Sequence, residues 1–229
     1  MFHGFLPSIL QGGLITLSVA LSSLAIAVAL GLLGAAMKLS RSRAARMSAN
    51  IYTTVIRGVP DMVLMLLVFY GGQMAINRAA PWFGWNDYID INPFVAGVAT
   101  IGFIFGAYLS ETFRGAIMAV PPGQREAAIA YGMNPRQVFA RIVFPQMVRF
   151  AIPAFSNNWL VLVKSTALVS VIGLGDMMQR AGLAAGATRE PFTFFSTVAV
   201  LYLLITTVSI ILLRALERRY SLGVRAATL

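Results

Sequence analysis

The sequence predicts an all-α polytopic membrane protein of five transmembrane helices, N-terminus outside and C-terminus cytoplasmic, and three observations carry that expectation. The chain of 229 residues is 58% hydrophobic and 11% charged, whereas a soluble domain carries about 25% charged residues. Several uninterrupted apolar runs reach the ~20 residues that a helix needs to cross a ~30 Å hydrocarbon layer, where irregular backbone cannot face lipid. The basic residues, which bring the formal net charge to +10, gather in alternate connections between those runs.

The runs fall at about 14–37, 59–77, 93–118, 151–174 and 192–213, and together they make one membrane domain over residues 1–229. The stretch before the first, MFHGFLPSILQGG, has no Lys or Arg. It lacks the basic start of a cleavable signal peptide, so the first span is expected to stay. The next connection holds Lys38, Arg41, Arg43, Arg46 and Arg57, the third holds Arg125, Arg136, Arg141 and Arg149, and the tail holds Arg214, Arg218, Arg219 and Arg225. The other two are poorer in base, with Arg78 in one and Arg180 and Arg189 in the other, diluted by Asp87, Asp90, Asp176 and Glu190. The positive-inside rule therefore puts the first, third and last of these segments in the cytoplasm. Trp82, Trp85 and Tyr88 suit the outer headgroup level as interface anchors. Gly102, Gly106 and Ser110 recur every four residues, a stripe that lets another helix approach closely.

Composition also excludes chemistry. There is no cysteine, and the only histidine is His3. Disulfides, thiolate metal sites and imidazole acid/base catalysis are set aside on that ground, and no metal ligand set is expected.

The segment from about 121 to 146 is charged and punctuated by Gly and Pro. Pro121-Pro122-Gly123 suits a helix start, Gly132 suits a left-handed C-terminal cap, and Asn134-Pro135 suits the start of a second helix running to Pro145. A helix, tight turn and helix follow from that spacing. Ala127, Ala128 and Ala130 leave the first helix slim enough for another surface to come close, with Glu126 beside Arg125 as its polar edge. The physics of these residues fits a docking knob or a solvated loop equally.

The run Glu126-Ala127-Ala128, three residues, Gly132, nine residues, Ile142-Val143-Phe144-Pro145 resembles the EAA loop of ABC importer permeases, departing only in Phe144 where the family usually has Leu. The resemblance covers nearly the whole chain. Arg57-Gly58-Val59-Pro60, Ala107 to Gly115, Lys164-Ser165-Thr166-Ala167-Leu168 and Glu217-Arg218-Arg219-Tyr220 are similar to signatures of the polar amino-acid permeases, in particular the Q-type branch of histidine/lysine/arginine/ornithine importers. It implies a type I ABC importer permease fold in a bacterial inner membrane. It also implies Glu126, Ala127, Ala128, Gly132 and Pro145 as the ATPase-coupling residues, a second permease subunit, a cytoplasmic ATPase dimer and a periplasmic amino-acid-binding protein. ATP and Mg would sit on the ATPase. The chain has no G-x-x-x-x-G-K-[ST] to cradle a phosphate itself, since Lys164-Ser165 follows Val163 in an apolar run.

Ionisable groups inside spans cost several kcal/mol unless paired. Asp61, early in the second run, and Glu111, late in the third, belong to the same half of the membrane and are expected to share a cavity. Arg114 follows Glu111 by three residues, so a local pair is the simplest arrangement. Lys164 lies deeper, with Asn157 seven residues before it on the same face and Asn158, Ser165 and Thr166 nearby. Its partner is either a substrate carboxylate or one of Asp61 and Glu111. Many polar amino-acid permeases resemble RGTPLL where this chain reads RGVPDM, so Asp61 places a carboxylate where an apolar side chain is usual. That carboxylate fits a cationic amino acid; it also fits a helix N-terminus, which favours negative charge. Asp61, Glu111, Lys164 and Asn157 are the candidate substrate contacts.

The leading function is the permease subunit of an ATP-driven importer of basic amino acids. An ion-coupled secondary amino-acid transporter is the alternative, although such proteins are commonly built from internal repeats that five unequal spans do not supply. A membrane enzyme would need a pair such as Ser110 or Ser170 with Lys164. A purely structural subunit is the remaining reading.

Overall fold

Small residues recur every three or four positions along the first apolar run, at Gly12, Thr16, Ala20, Ser23, Ala27, Gly31 and Gly34, which puts them on one helical face. The structure, a computed structural model, describes residues 4–221; His3 and Arg225 fall outside the described residues. Helix α1 spans Leu6–Lys38, and all seven of those residues are buried. Helix α2, Arg43–Gly58, is amphipathic and occupies most of the first basic connection, with Ala49, Thr53 and Ile56 turned inward. Val59, held extended before Pro60, ends it. Helix α3, Asp61–Phe83, contains a widened π turn at Leu67–Gly71 and closes at Gly84, where φ is +83°.

Helix α4, Pro93–Met118, starts where the Asn92 side chain accepts the Phe94 N–H at 2.8 Å and Pro93 takes the first turn. The loop before it is strapped to α3. The Ile89 N–H donates to the Asn77 side chain and the Ile91 N–H to the Gln73 side chain, both at 2.8 Å. Trp82, Trp85 and Tyr88 are exposed on this loop and the turn before it.

Two thirds of the most apolar window of α4 is buried, 67% against 6% in α3. It is the central helix. Its small-residue stripe meets that of α1: a Cβ on Gly102 would lie 2.7 Å from the Ile26 Cβ, one on Gly106 2.7 Å from the Leu30 Cβ, and one on Gly34 2.1 Å from the Ser110 Oγ. The stripes therefore bring two backbones together. Ile101, Ile104, Phe105 and Leu109 of α4 join Val19 and Ala27 of α1 and Leu162 and Val163 farther on in one buried cluster.

After the short helix α5, Pro122–Ala130, helix α6 runs without a break over Pro135–Ile172. The sequence reading ended a hairpin helix at Pro145 and opened the fourth span at 151, and the structure joins the two. Pro145 lacks an N–H, and in a regular helix its ring would clash with the carbonyl of Arg141; a π turn at Phe139–Val143 widens the helix at that place. Helix α7, Met177–Thr188, is capped by Asp176, whose Oδ1 accepts the Gln179 N–H at 2.9 Å. Burial pushes that carboxyl up to about 6. Arg180 anchors α7 to the start of α1 by donating to the Ser8 carbonyl at 3.1 Å and the Ser8 hydroxyl at 3.0 Å. Helix α8, Pro191–Ser221, finishes the described chain. Leu203, Leu204, Ile211 and Leu212 of α8 are exposed, leaving an apolar face for lipid or another subunit.

Candidate functional site

Helix α5 is built to be held by one residue and to show the others. Ala128 is its one buried side chain, packed in a small cluster with Val120, Val138, Val143 and Met133, while Glu126, Ala127, Ile129 and Ala130 are exposed. The helix ends in a Schellman motif, with the Met133 N–H donating to the Ala128 carbonyl at 3.1 Å and the Gly132 N–H to the Ile129 carbonyl at 2.9 Å. Gly132 takes φ +79°, the left-handed conformation its position predicts. Asn134 and Gln137 then form a reciprocal capping box at the start of α6. Gln146 on α6 donates to Gln124 on α5 at 2.6 Å, closing the hairpin at its open end. The result is a rigid bracket that presents Ile129 and Tyr131 outward, 62% and 88% exposed. Pro145 is also exposed on α6, next to Gln146.

A second cluster lies where α1, α2 and α4 meet. Glu111 accepts from the Lys38 ammonium on one oxygen and from the Arg114 Nε at 2.8 Å on the other. Arg114 was expected from the sequence. Lys38 was not, because 73 residues separate it from Glu111 and it counted among the basic residues of the first connection; its side chain is only 7% exposed. Its position in the last turn of an apolar helix was the available signal. Arg57 stacks on the Tyr108 ring at 5.3 Å, and these residues line a groove of about 500 Å³ with Thr53 and Thr54. Asp61 does not line it, so the shared cavity expected for the two carboxylates is not formed within this groove. Asp61 stands half-buried at the first position of α3 and makes no ion pair among the described residues.

Lys164 and Asn157 are exposed on the same side of α6. Lys164 makes no ion pair with Asp61 or Glu111. It borders a cleft of about 350 Å³ lined by Ala167, Met178, Phe195, Val198 and Tyr202, with the Tyr202 hydroxyl 3.3 Å from the Thr166 hydroxyl. Ser110 donates to the Gly106 carbonyl and Ser170 to the Ala167 carbonyl.

The family described as binding-protein-dependent transport system inner membrane component matches residues 27–222. The chain belongs to that family. It is 54% identical over 229 residues, all of both chains, to the histidine/lysine/arginine/ornithine transport system permease protein HisQ of Escherichia coli (strain K12). Over 216 residues, 94% of this chain and 91% of the relative, it is 41% identical to the octopine transport system permease protein OccQ of Rhizobium radiobacter. The fold superposes on a crystal structure of an amino acid ABC transporter with histidines at TM-score 0.80 and 33% identity, covering 93% of this chain and 94% of that one. As a member of this family with five long apolar helices, the chain is a multi-pass membrane protein. The α5 bracket, the Glu111 cluster and the Lys164 cleft are three separate features of that one domain.

Proposed function

We propose that this chain is the permease subunit of an ATP-driven importer that moves basic amino acids from periplasm to cytoplasm. The observation that carries this reading is the α5 bracket, a short helix pinned by Ala128 and Gly132 with Glu126, Ala127, Ile129 and Tyr131 turned outward. A rigid exposed knob that continues directly into the long helix α6 is suited to passing movement of a docked ATPase into the membrane. Its 54% identity to HisQ over 229 residues supports cationic cargo. In this reading Glu126, Ala127, Ala128, Gly132 and Pro145 are the coupling residues, Ala128 and Gly132 by holding the shape of the bracket, and ATP and Mg bind the ATPase dimer. A second permease subunit and a periplasmic binding protein complete the complex.

Asp61 receives the cargo's cationic group, because it is the carboxylate among the four candidate contacts that no internal base has claimed. Lys164, beside Asn157, is available for the α-carboxylate. Glu111 has a different part. With Lys38 and Arg114 on its two oxygens it ties α1 to α4.

The orientation is tested by labelling. A cysteine replacing Asn86 should react with an impermeant thiol reagent in intact cells, and one replacing Ser48 should not; the reverse pattern removes α5 from the cytoplasm and with it the coupling role. The complex is tested by purification. A tagged chain should bring down an ATPase and a second permease subunit from native membranes, and recovery of the chain alone under conditions that preserve folded membrane complexes contradicts the proposal.

A further inference from the structure

Helix α8 stays apolar through Leu213 and turns basic at Arg214, about 35 Å from Pro191 at 1.5 Å per residue, just beyond the ~30 Å hydrocarbon layer. Arg214 and Arg218 are four residues apart and share a face there. Across from them on α6 stands Arg149. With Tyr220 and Glu217 these side chains line a cavity of about 390 Å³ between the two helices. Arg149 and Arg214 stand beside one carboxylate, Glu217, which is turned toward α6, where its Oε1 accepts the Ser156 hydroxyl at 3.3 Å. Arg149 and Arg214 make no ion pair among the described residues. The cavity thus holds excess positive charge at headgroup depth.

A second cleft, of about 210 Å³, adjoins it. Ile152 and Tyr220 belong to both, and the rest of the second lining is apolar, including Phe113, Met147, Phe155 and Leu216. An arginine-lined cavity beside an apolar cleft matches an anionic phospholipid in both halves, the phosphate in the first and an acyl chain in the second. A free phosphate would use only the first. We propose that the α6/α8 junction binds an anionic phospholipid, with Arg149 and Arg214 holding the headgroup phosphate and Phe155 and Leu216 seating a chain. Basic pockets between membrane helices hold phospholipid headgroups by this combination of charge and depth.

The test uses the complete transporter complex, delipidated and titrated with phosphatidylglycerol or phosphatidylcholine in mixed micelles, with bound lipid counted by native mass spectrometry. Phosphatidylglycerol should bind more tightly than phosphatidylcholine. In the double variant Arg149→Gln with Arg214→Gln its apparent affinity should fall about thirty-fold, as expected for removing two headgroup-level charges. The double variant Arg149→Lys with Arg214→Lys keeps the charge and should lose only a few-fold, which separates headgroup binding from misfolding. Leu216→Trp fills the cleft and should weaken phosphatidylglycerol binding while leaving competition by inorganic phosphate weak, as in the wild type. Retention of phosphatidylglycerol that ignores the arginine changes, or equal retention of both lipids, overturns the proposal. Stoichiometric displacement of the lipid by inorganic phosphate at similar concentration also overturns it, because it would mean that the cavity reads phosphate alone.

Discussion

Gly132→Val should leave all five spans inserted, weaken association with the ATPase and reduce ATP-driven uptake at least about fivefold. At φ +79° a β-branched residue is a steric outlier, and holding it there costs ~1–3 kcal/mol. A Cβ at Gly132 meets nothing within 4 Å, so the penalty is backbone strain and not a side-chain clash. The strain falls on the Schellman motif that fixes Ala128 and aims Ile129 and Tyr131. At 1.4 kcal/mol per tenfold, the population of correctly shaped brackets drops roughly 5- to 150-fold. Gly132→Asn is the control, since asparagine tolerates the left-handed region; it should keep most of the uptake. The measurement is ATPase co-purification and arginine uptake for both variants at equal membrane abundance. Wild-type coupling in the valine variant would return residues 121–146 to the role of a solvated loop.

Asp61→Asn should lower uptake of arginine far more than uptake of neutral histidine. The substitution keeps the shape at the start of α3 and removes one charge that no internal base neutralises. A cation desolvated against a carboxylate loses ~2–5 kcal/mol when its partner is removed, which corresponds to roughly 30-fold or more in apparent affinity. Histidine at pH 8 carries no net charge on its side chain and so lacks the interaction that is removed. Both amino acids are to be measured in the reconstituted complex with the binding protein fixed, beside basal ATPase activity. An equal fall for the two would make Asp61 a carboxylate that serves the helix N-terminus, with selection made before the membrane.

The sequence was most legible where local rules act alone. Pro122, Gly132, Asn134 and Pro135 each dictate one backbone conformation, and the bracket around them takes the expected form. The stripe of Gly102, Gly106 and Ser110 announced a close helix neighbour without saying which, and the matching small residues of α1 identify it. Two things were hidden. The continuity of α6 through Pro145 depends on a π turn, which single-residue propensities do not encode. The Lys38–Glu111 pair joins residues far apart in the chain, and charge patterning reads only neighbours along one helix. The basic residues near the tail were read as topology signals. Their convergence with Arg149 on one cavity required the packing of α8 against α6.

The importer reading stands most directly on the source of energy for transport. The complex should be reconstituted in proteoliposomes with the ATPase side accessible to ATP and the binding protein on the opposite side, and accumulation of labelled arginine followed while ATP and the ion gradients are varied independently. We expect accumulation that requires both hydrolysable ATP and the binding protein and that persists when the sodium and proton gradients are collapsed. Arginine accumulation without ATP that follows an imposed ion gradient would contradict the account and make the chain part of a secondary transporter.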